Sequence, residues 1–234
     1  RAQDWRARPT PAPGRGELPP PTPTASPLPP TPGGHPSPTA TVYRTPEPTP
    51  PYGRLLISEV MYSCSWKEPS CEWIELYNAG GAPLDLSAVC LGDQLEAGSV
   101  LNDGRRCFPS GSQLASGEVI VVAMKGAIVR ESQGFQADYE MVDSGPDYAD
   151  LLPDPAFGSS VMLENPGDEV LLVDTRVGLL DIISWGSSTA AFSPALPLCG
   201  TDRSVERYPP VEDHDTAQDW RCPDSASPGE VQYP

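Results

Sequence analysis

From Arg54 onward, short apolar runs alternate with clusters of Gly, Pro, Asn and Asp, the pattern of an all-β chain. Strands are predicted at LLISEVMY (55–62), EWIELYN (72–78), VCLGD (89–93), EVIVVAM (118–124), SVMLEN (160–165), EVLLVD (169–174) and LLDIISWG (179–186). SVERYP (204–209) and AQDWR (217–221) follow as further candidates. Within EWIELYN, period-two alternation sends Trp73, Glu75 and Tyr77 to one face and Ile74 and Leu76 to the other. A carboxylate at Glu75 among apolar neighbours requires hydroxyl or backbone partners, which makes its role structural rather than catalytic. NAGGAP, PSGSQLASGE, NPGDE and DTRVG supply turns between the runs. No segment keeps a helical period over eleven residues; in 125–158, GAIVRESQGF fits either one helical turn or a long surface excursion.

The first 52 residues break this pattern, holding 17 of the 31 prolines. Proline fixes φ and donates no backbone hydrogen bond, so residues 15–52 read as an extended polyproline-II arm, broken near Gly33-Gly34. At ~3.1 Å per residue, residues 9–51 in this conformation reach roughly 130 Å. Thr10, Thr22, Thr24, Thr31, Thr39, Thr41, Thr45 and Thr49 stand beside or near prolines, the composition of an O-glycosylated stalk, and covalent glycans are expected there. No Asn-x-Ser/Thr sequon occurs. The arm is either a plain tether or a segment held by a neighbour, with Tyr43 and Tyr52 as candidate anchors.

Charge divides along the same boundary. Residues 53–234 carry 10 Lys/Arg against 29 Asp/Glu, whereas residues 1–52 carry 5 against 3. So acidic a domain repels phosphate backbones and excludes nucleic acid as a direct ligand. No run of about 18 apolar residues exists to span a membrane. With no initiator Met or signal peptide, Arg1 reads as a processed end or a cut within a longer chain. The six cysteines lack the spacings of a zinc site and point to disulfides, hence to a secreted, extracellular or cell-surface setting. Six cysteines allow fifteen connectivities; sequence-near pairing as Cys64–Cys71, Cys90–Cys107 and Cys199–Cys222 is expected, each staple closing a loop.

The order ISEVMYS…CEWIELYNAGGAPLDLSAVCLGD, FPSGSQLASGEVIVVA, LENPGDEVLLVDTRVGLLDIISWG, SVERYP and a late Trp followed by SPGE resembles the lamin tail domain family across roughly residues 54–230. The resemblance implies an immunoglobulin-like β-sandwich, of a type that in bacteria occurs in secreted or surface proteins, sometimes beside nucleases and other hydrolases. Two features depart from the family pattern: the SWKEPS loop between Cys64 and Cys71, and the number of cysteines. Both suit a domain hardened for harsh exposure.

One repeat stands out. AQDWRARPTPAPG (2–14) aligns without a gap with AQDWRCPDSASPG (217–229), every match at an offset of 215. In the family pattern, the late Trp and Pro-Gly close the domain. Residues 1–14 therefore read as the closing segment of a preceding repeat, or as a strand donated to another molecule, with Trp5 the counterpart of Trp220 and both as repeat or inter-subunit contacts. The expected organisation is closing segment (1–14), proline arm (15–52), lamin-tail-like sandwich (53–230) and the start of a next arm (231–234). A unit of this kind is built to repeat, and head-to-tail contacts that do not close make filaments.

Candidate chemistry is sparse. His35 lies in the arm, and His214 lies between Asp213 and Asp215. That stretch, and Asp147, Asp150 and Asp154 in PDYADLLPDP, are oxygen-rich; calcium is the cation they would suit, although solvated acidic loops explain them and no cofactor is expected. No nucleophile elbow, phosphate-binding loop or zinc-protease helix occurs, so an enzyme is not expected. The leading expectation is a structural, tandemly repeated unit of an extracellular filament or surface layer, whose partner is itself. The rival is a non-catalytic accessory module of a larger secreted hydrolase or adhesin, with Trp66 in the disulfide loop as contact residue.

Overall fold

A computed structural model describes residues 54–93 and 104–234. The proline arm, the first AQDWR copy with Trp5, the eight candidate threonines, His35, Tyr43 and Tyr52 lie outside the described residues.

In chain order the strands are β1 (Leu55–Met61), β2 (Trp73–Asn78), β3 (Leu84–Asp85), β4 (Val89–Gly92), β5 (Arg105–Cys107), β6 (Gln113–Leu114) and β7 (Val119–Ala123). One helix, α1 (Gly126–Gln133), precedes β8 (Tyr139–Glu140), β9 (Ala149–Asp150), β10 (Leu152–Pro153), β11 (Glu169–Asp174), β12 (Gly178–Ser184), β13 (Val205–Arg207) and β14 (Trp220–Arg221). One sheet runs β14-β13-β1-β2-β7-β8-β9 and the other β10-β5-β4-β11-β12, with β3-β6 as a separate ribbon. The two large sheets form an immunoglobulin-like β-sandwich. Pairing is antiparallel except at β7–β8 and β8–β9.

Alternation along the strands accounts for the layers. Ile57, Val60, Ile74, Leu76, Ile120 and Val122 face inward against Leu91, Val170, Leu172 and Ile182 of the other sheet. Trp185 is fully buried there, stacked on Tyr62 with ring centroids 4.8 Å apart. The outward residues Met61, Trp73, Val121 and Ala123 would be exposed in a bare sandwich. Here they form a second apolar cluster under Val129 of α1, with Phe135 edge-on to Trp73. The stretch 125–158 is thus settled as a two-turn helix followed by a covering segment. Gly134, at φ 82°, ends the helix in the left-handed conformation that glycine adopts without strain.

Two predicted strands change character. SVMLEN (160–165) buries Val161 and Leu163 as its alternation requires, yet it joins no ladder. The amides of Met162 and Glu164 donate instead to the carboxylates of Asp93 and Asp168, at 2.9 and 2.7 Å, which takes the donors a strand would need. In AQDWR only Trp220 and Arg221 are strand; Ala217–Asp219 is a turn of 3-10 helix. Asp219 draws in the amides of His214 (2.9 Å) and Thr216 (3.0 Å), and that capping favours a turn over extension.

Three disulfides join Cys64–Cys71, Cys90–Cys107 and Cys199–Cys222. The second links residues directly opposite on β4 and β5. The third ties the approach to β13 to the end of β14 across 23 residues of sequence. Loop-closure entropy for that length gives it about 3 kcal/mol. Replacing both Cys199 and Cys222 by serine should lower the unfolding free energy by that amount in urea titrations; an unchanged midpoint would count against a stapling role. Among the described residues, no helix is long and apolar enough to cross a membrane.

Candidate functional site

The closing end of the domain is built on Arg207. β13 alternates so that Val205 and Arg207 point into the sandwich while Glu206 points out. The Arg207 guanidinium donates to both oxygens of Asp181 on β12 (2.9 and 2.8 Å), to the Ile57 carbonyl (3.0 Å) and to Asp213 (2.9 Å). Asp181 also accepts the amides of Ile57 and Ile182, each at 2.7 Å. Burial works against the charge on both partners and raises the Asp181 carboxyl, while the carboxylates of Asp181 and Asp213 raise the pKa of Arg207; the two-point contact to Asp181 makes the group an ion pair bridging the two sheets. Trp220 covers the guanidinium face, with the cation 4.5 Å from its ring centroid. At 6% exposed, Trp220 is seated as an intradomain closing residue rather than as an open contact to a neighbour.

On the outer face of the same sheet, Glu206, Glu59 and Glu75 lie side by side across β13, β1 and β2. A bulge at Ser58 makes this possible: SEV offers two successive polar residues, and the extra residue lets Ser58 and Glu59 both serve Glu75's side. Glu75 accepts from Ser58 Oγ (2.6 Å) and from the Gly229 amide (2.7 Å), the hydroxyl and backbone partners its environment requires. Glu59 accepts from Ser204 Oγ and from the amide of Ser227. Arg221 pairs with Glu206. Burial is the main cause that pushes Glu59 up to about 7 and Glu75 up to about 8, against the lowering effect of those hydrogen bonds. The segment Ser227–Gly229 is therefore latched over a carboxylate row. Farther along, Tyr233 Oη lies 2.8 Å from Tyr77 Oη.

Trp66 is 40% exposed on the rim of a cleft of about 390 Å³ that also includes Met61, Ser65, Gln133 and Asp202. The Lys67 ammonium sits 4.1 Å from the Trp66 ring centroid and pairs with Glu131 at 3.0 Å. Such a tryptophan can stack on a sugar ring or an apolar side chain.

The residues singled out for cation binding are mostly engaged elsewhere. His214 Nδ1 is 2.7 Å from Asp219, whose hydrogen bond and charge raise the imidazole pKa, and Asp213 is held by Arg207. Asp154 receives two nitrogens of Arg105, at 2.9 and 2.7 Å. Asp147 stands apart from that pair, on the exposed turn before β9. Asp150 gathers with Glu140 and Asp143, their oxygens within 4.8 Å of one another, but Glu140 already holds the amides of Gly126 and Ser144. Cys90 and Cys107 approach Asp154 too, as a disulfide without thiolates to offer. Glu59, Glu206, Asp181 and Arg207 escaped the sequence reading; the consecutive polar pair in ISEVM was the one local sign of them.

The profile described as Lamin Tail Domain matches residues 48–187. No curated protein matches the chain. Among eight matching chains of solved structure is a DUF4876 family protein from Bacteroides thetaiotaomicron VPI-5482. It has a TM-score of 0.51 and 11% identity, covering 77% of this chain and 72% of its own, a likeness of fold alone.

Proposed function

The chain belongs to the lamin tail domain family, and we propose that it serves as a non-catalytic structural unit, repeated along a secreted filament or surface layer. The sandwich is the rigid node and the proline arm the spacer, with O-linked sugars on its threonines. One observation carries this reading: the second AQDWR copy is a domain-closing device, its Asp219 capping a turn and its Trp220 sealing Arg207. A second copy of that device, placed before the arm, is what an array of such domains would contain. The three disulfides suit an oxidising, extracellular setting.

Electron microscopy of the native material tests assembly: regularly spaced nodes along fibres or sheets are expected, and dispersed particles under all conditions would defeat the proposal. Mass spectrometry of residues 8–52 should find hexose-containing adducts on the threonines; bare threonines would remove the sugar coat.

The alternative, a binding module within a larger secreted hydrolase or adhesin, is favoured by the exposed Trp66 at its cleft. Affinity electrophoresis against soluble polysaccharides separates the readings, since retardation abolished by Trp66→Ala supports the module.

A further inference from the structure

Among the described residues, three buried side-chain polar atoms lack a hydrogen-bond partner: both carboxylate oxygens of Glu72, and Oδ1 of Asn165. They belong to one place. Glu72 immediately precedes β2 and is 0% exposed, and with Glu68, Leu163, Glu164 and Asn165 it lines a surface cleft of about 400 Å³ at the end of the sandwich. Asn165 turns its amide nitrogen to Glu68 and leaves its oxygen unpartnered. Asp168 adds a further negative charge nearby while its own oxygens hold the amides of Glu164 and Glu169. No Lys, Arg or His lines the cleft.

Burying a carboxylate without a partner is costly, and native structures avoid it unless something else supplies the compensation. Other buried carboxylates among the described residues follow that rule: Glu59, Glu75, Asp93, Glu140 and Asp181 all have hydroxyl, amide or guanidinium partners. Among the described residues Glu72 is the exception, in the wall of a cleft that Glu68, Glu164 and Asn165 supply with oxygens and that Pro69, Met162, Leu163 and Pro166 otherwise line with apolar surface. We propose that this cleft is a calcium site, ligated by Glu72, Glu68 and Oδ1 of Asn165, with water completing the shell. Calcium suits irregular all-oxygen sets of six to eight ligands, whereas the absence of imidazole or thiolate disfavours zinc and copper. Without the ion, burial and then the charges of Glu68 and Asp168 hold the Glu72 carboxyl well above the usual carboxylate range; the Leu163 amide lies beside it but makes no hydrogen bond of normal geometry to it. With the ion bound, the loop closed by Cys64–Cys71 is clamped to the segment that leads into β11.

The test uses the whole chain, stripped with EDTA and melted at pH 7.5 with increasing CaCl2. For extracellular-type affinity, a saturable rise in Tm of about 3–10 °C is expected by about 10 mM. Glu72→Gln should melt no lower than the parent in EDTA, because it replaces a buried acid with a neutral isostere, and it should lose the calcium response. Asn165→Ala should weaken that response. Asp150→Asn, at the exposed acidic cluster, should leave it intact. A parent whose Tm ignores CaCl2 overturns the site, as does a Glu72→Gln variant with an undiminished shift.

Discussion

Replacing Arg207 by leucine is expected to lower the unfolding free energy by about 3–5 kcal/mol, the range for removing one partner of a buried ion pair. The effect is large because the guanidinium serves four separate demands at once: the Asp181 carboxylate, Asp213, the Ile57 carbonyl and the face of Trp220. Its loss leaves the fully buried Asp181 carboxyl without its counter-charge, to be protonated or to stand uncompensated, and removes the packing surface of the closing tryptophan. Urea unfolding of the single variants and of the double variant Arg207→Leu/Asp181→Leu checks this. The double should be less destabilised than the sum of the singles, since the stranded charge is gone, but it should not recover parental stability, because Asp181 also holds the amides of Ile57 and Ile182. Strict additivity would show that the pair is not coupled. Under the array reading, Arg207→Leu should also loosen the Trp220 seat, visible as increased quenching of tryptophan fluorescence in native buffer.

The second large effect concerns pH. Glu59 and Glu75 keep their protons in the folded state to about 7 and about 8, while in the unfolded chain they ionise near the ordinary 4.5. Between those values the folded state binds more protons than the unfolded one, so stability falls as pH rises. The loss from these two groups begins above pH 4.5 and is complete about one pH unit above the Glu75 value; for either group alone it is on the order of 3–5 kcal/mol. The charged groups facing the row are Glu206 from β13 and Arg221 from β14, and the single cation offsets part of the repulsion. Burial also raises Asp93, Asp168, Asp181 and, without an ion, Glu72, and His214 is raised by Asp219; all of these act in the same sense, whereas the lowered carboxylates of Asp154 and Asp219 act in the opposite sense, and only below the ordinary aspartate value of 3.8. Maximal stability is therefore expected near pH 4, close to the ordinary aspartate value from which the raised and lowered groups depart. Urea unfolding in EDTA from pH 5 to 8.5 should show the decline, and Glu59→Gln/Glu75→Gln should make it shallower, the remainder belonging to Glu72, Asp93, Asp168 and Asp181. Stability that is level or rising across this interval would refute the assignment. The latch at Ser227–Gly229 should loosen first, seen as faster amide exchange there.

Much of this molecule was legible in its alternation. Trp73, Glu75 and Tyr77 lie on the outer face, with Ile74 and Leu76 in the core, because a strand's period of two leaves no other arrangement. The disulfides are the sequence-near ones, since each joins residues that a short loop or adjacent strand brings together. The need of Glu75 for hydroxyl and amide donors also followed from its neighbours, although not the identity of Ser58 and Gly229.

What the tertiary structure alone decided are the long-range matches. Arg207 meets Ile57 across 150 positions, and Asp181 meets Ile57 across 124. No local pattern encodes such meetings, because they depend on which strands the topology makes neighbours. The same holds where side chains compete for backbone donors: Asp93 and Asp168 keep 160–165 out of a ladder, and Asp219 turns AQD into a helical cap. Whether a carboxylate finds a partner is likewise a property of the assembled surface. Alternation sends Glu72 inward with the same rule that sends Ile74 and Leu76 there, and only the packed sandwich leaves it unpartnered in the wall of a cleft that Asn165 also lines.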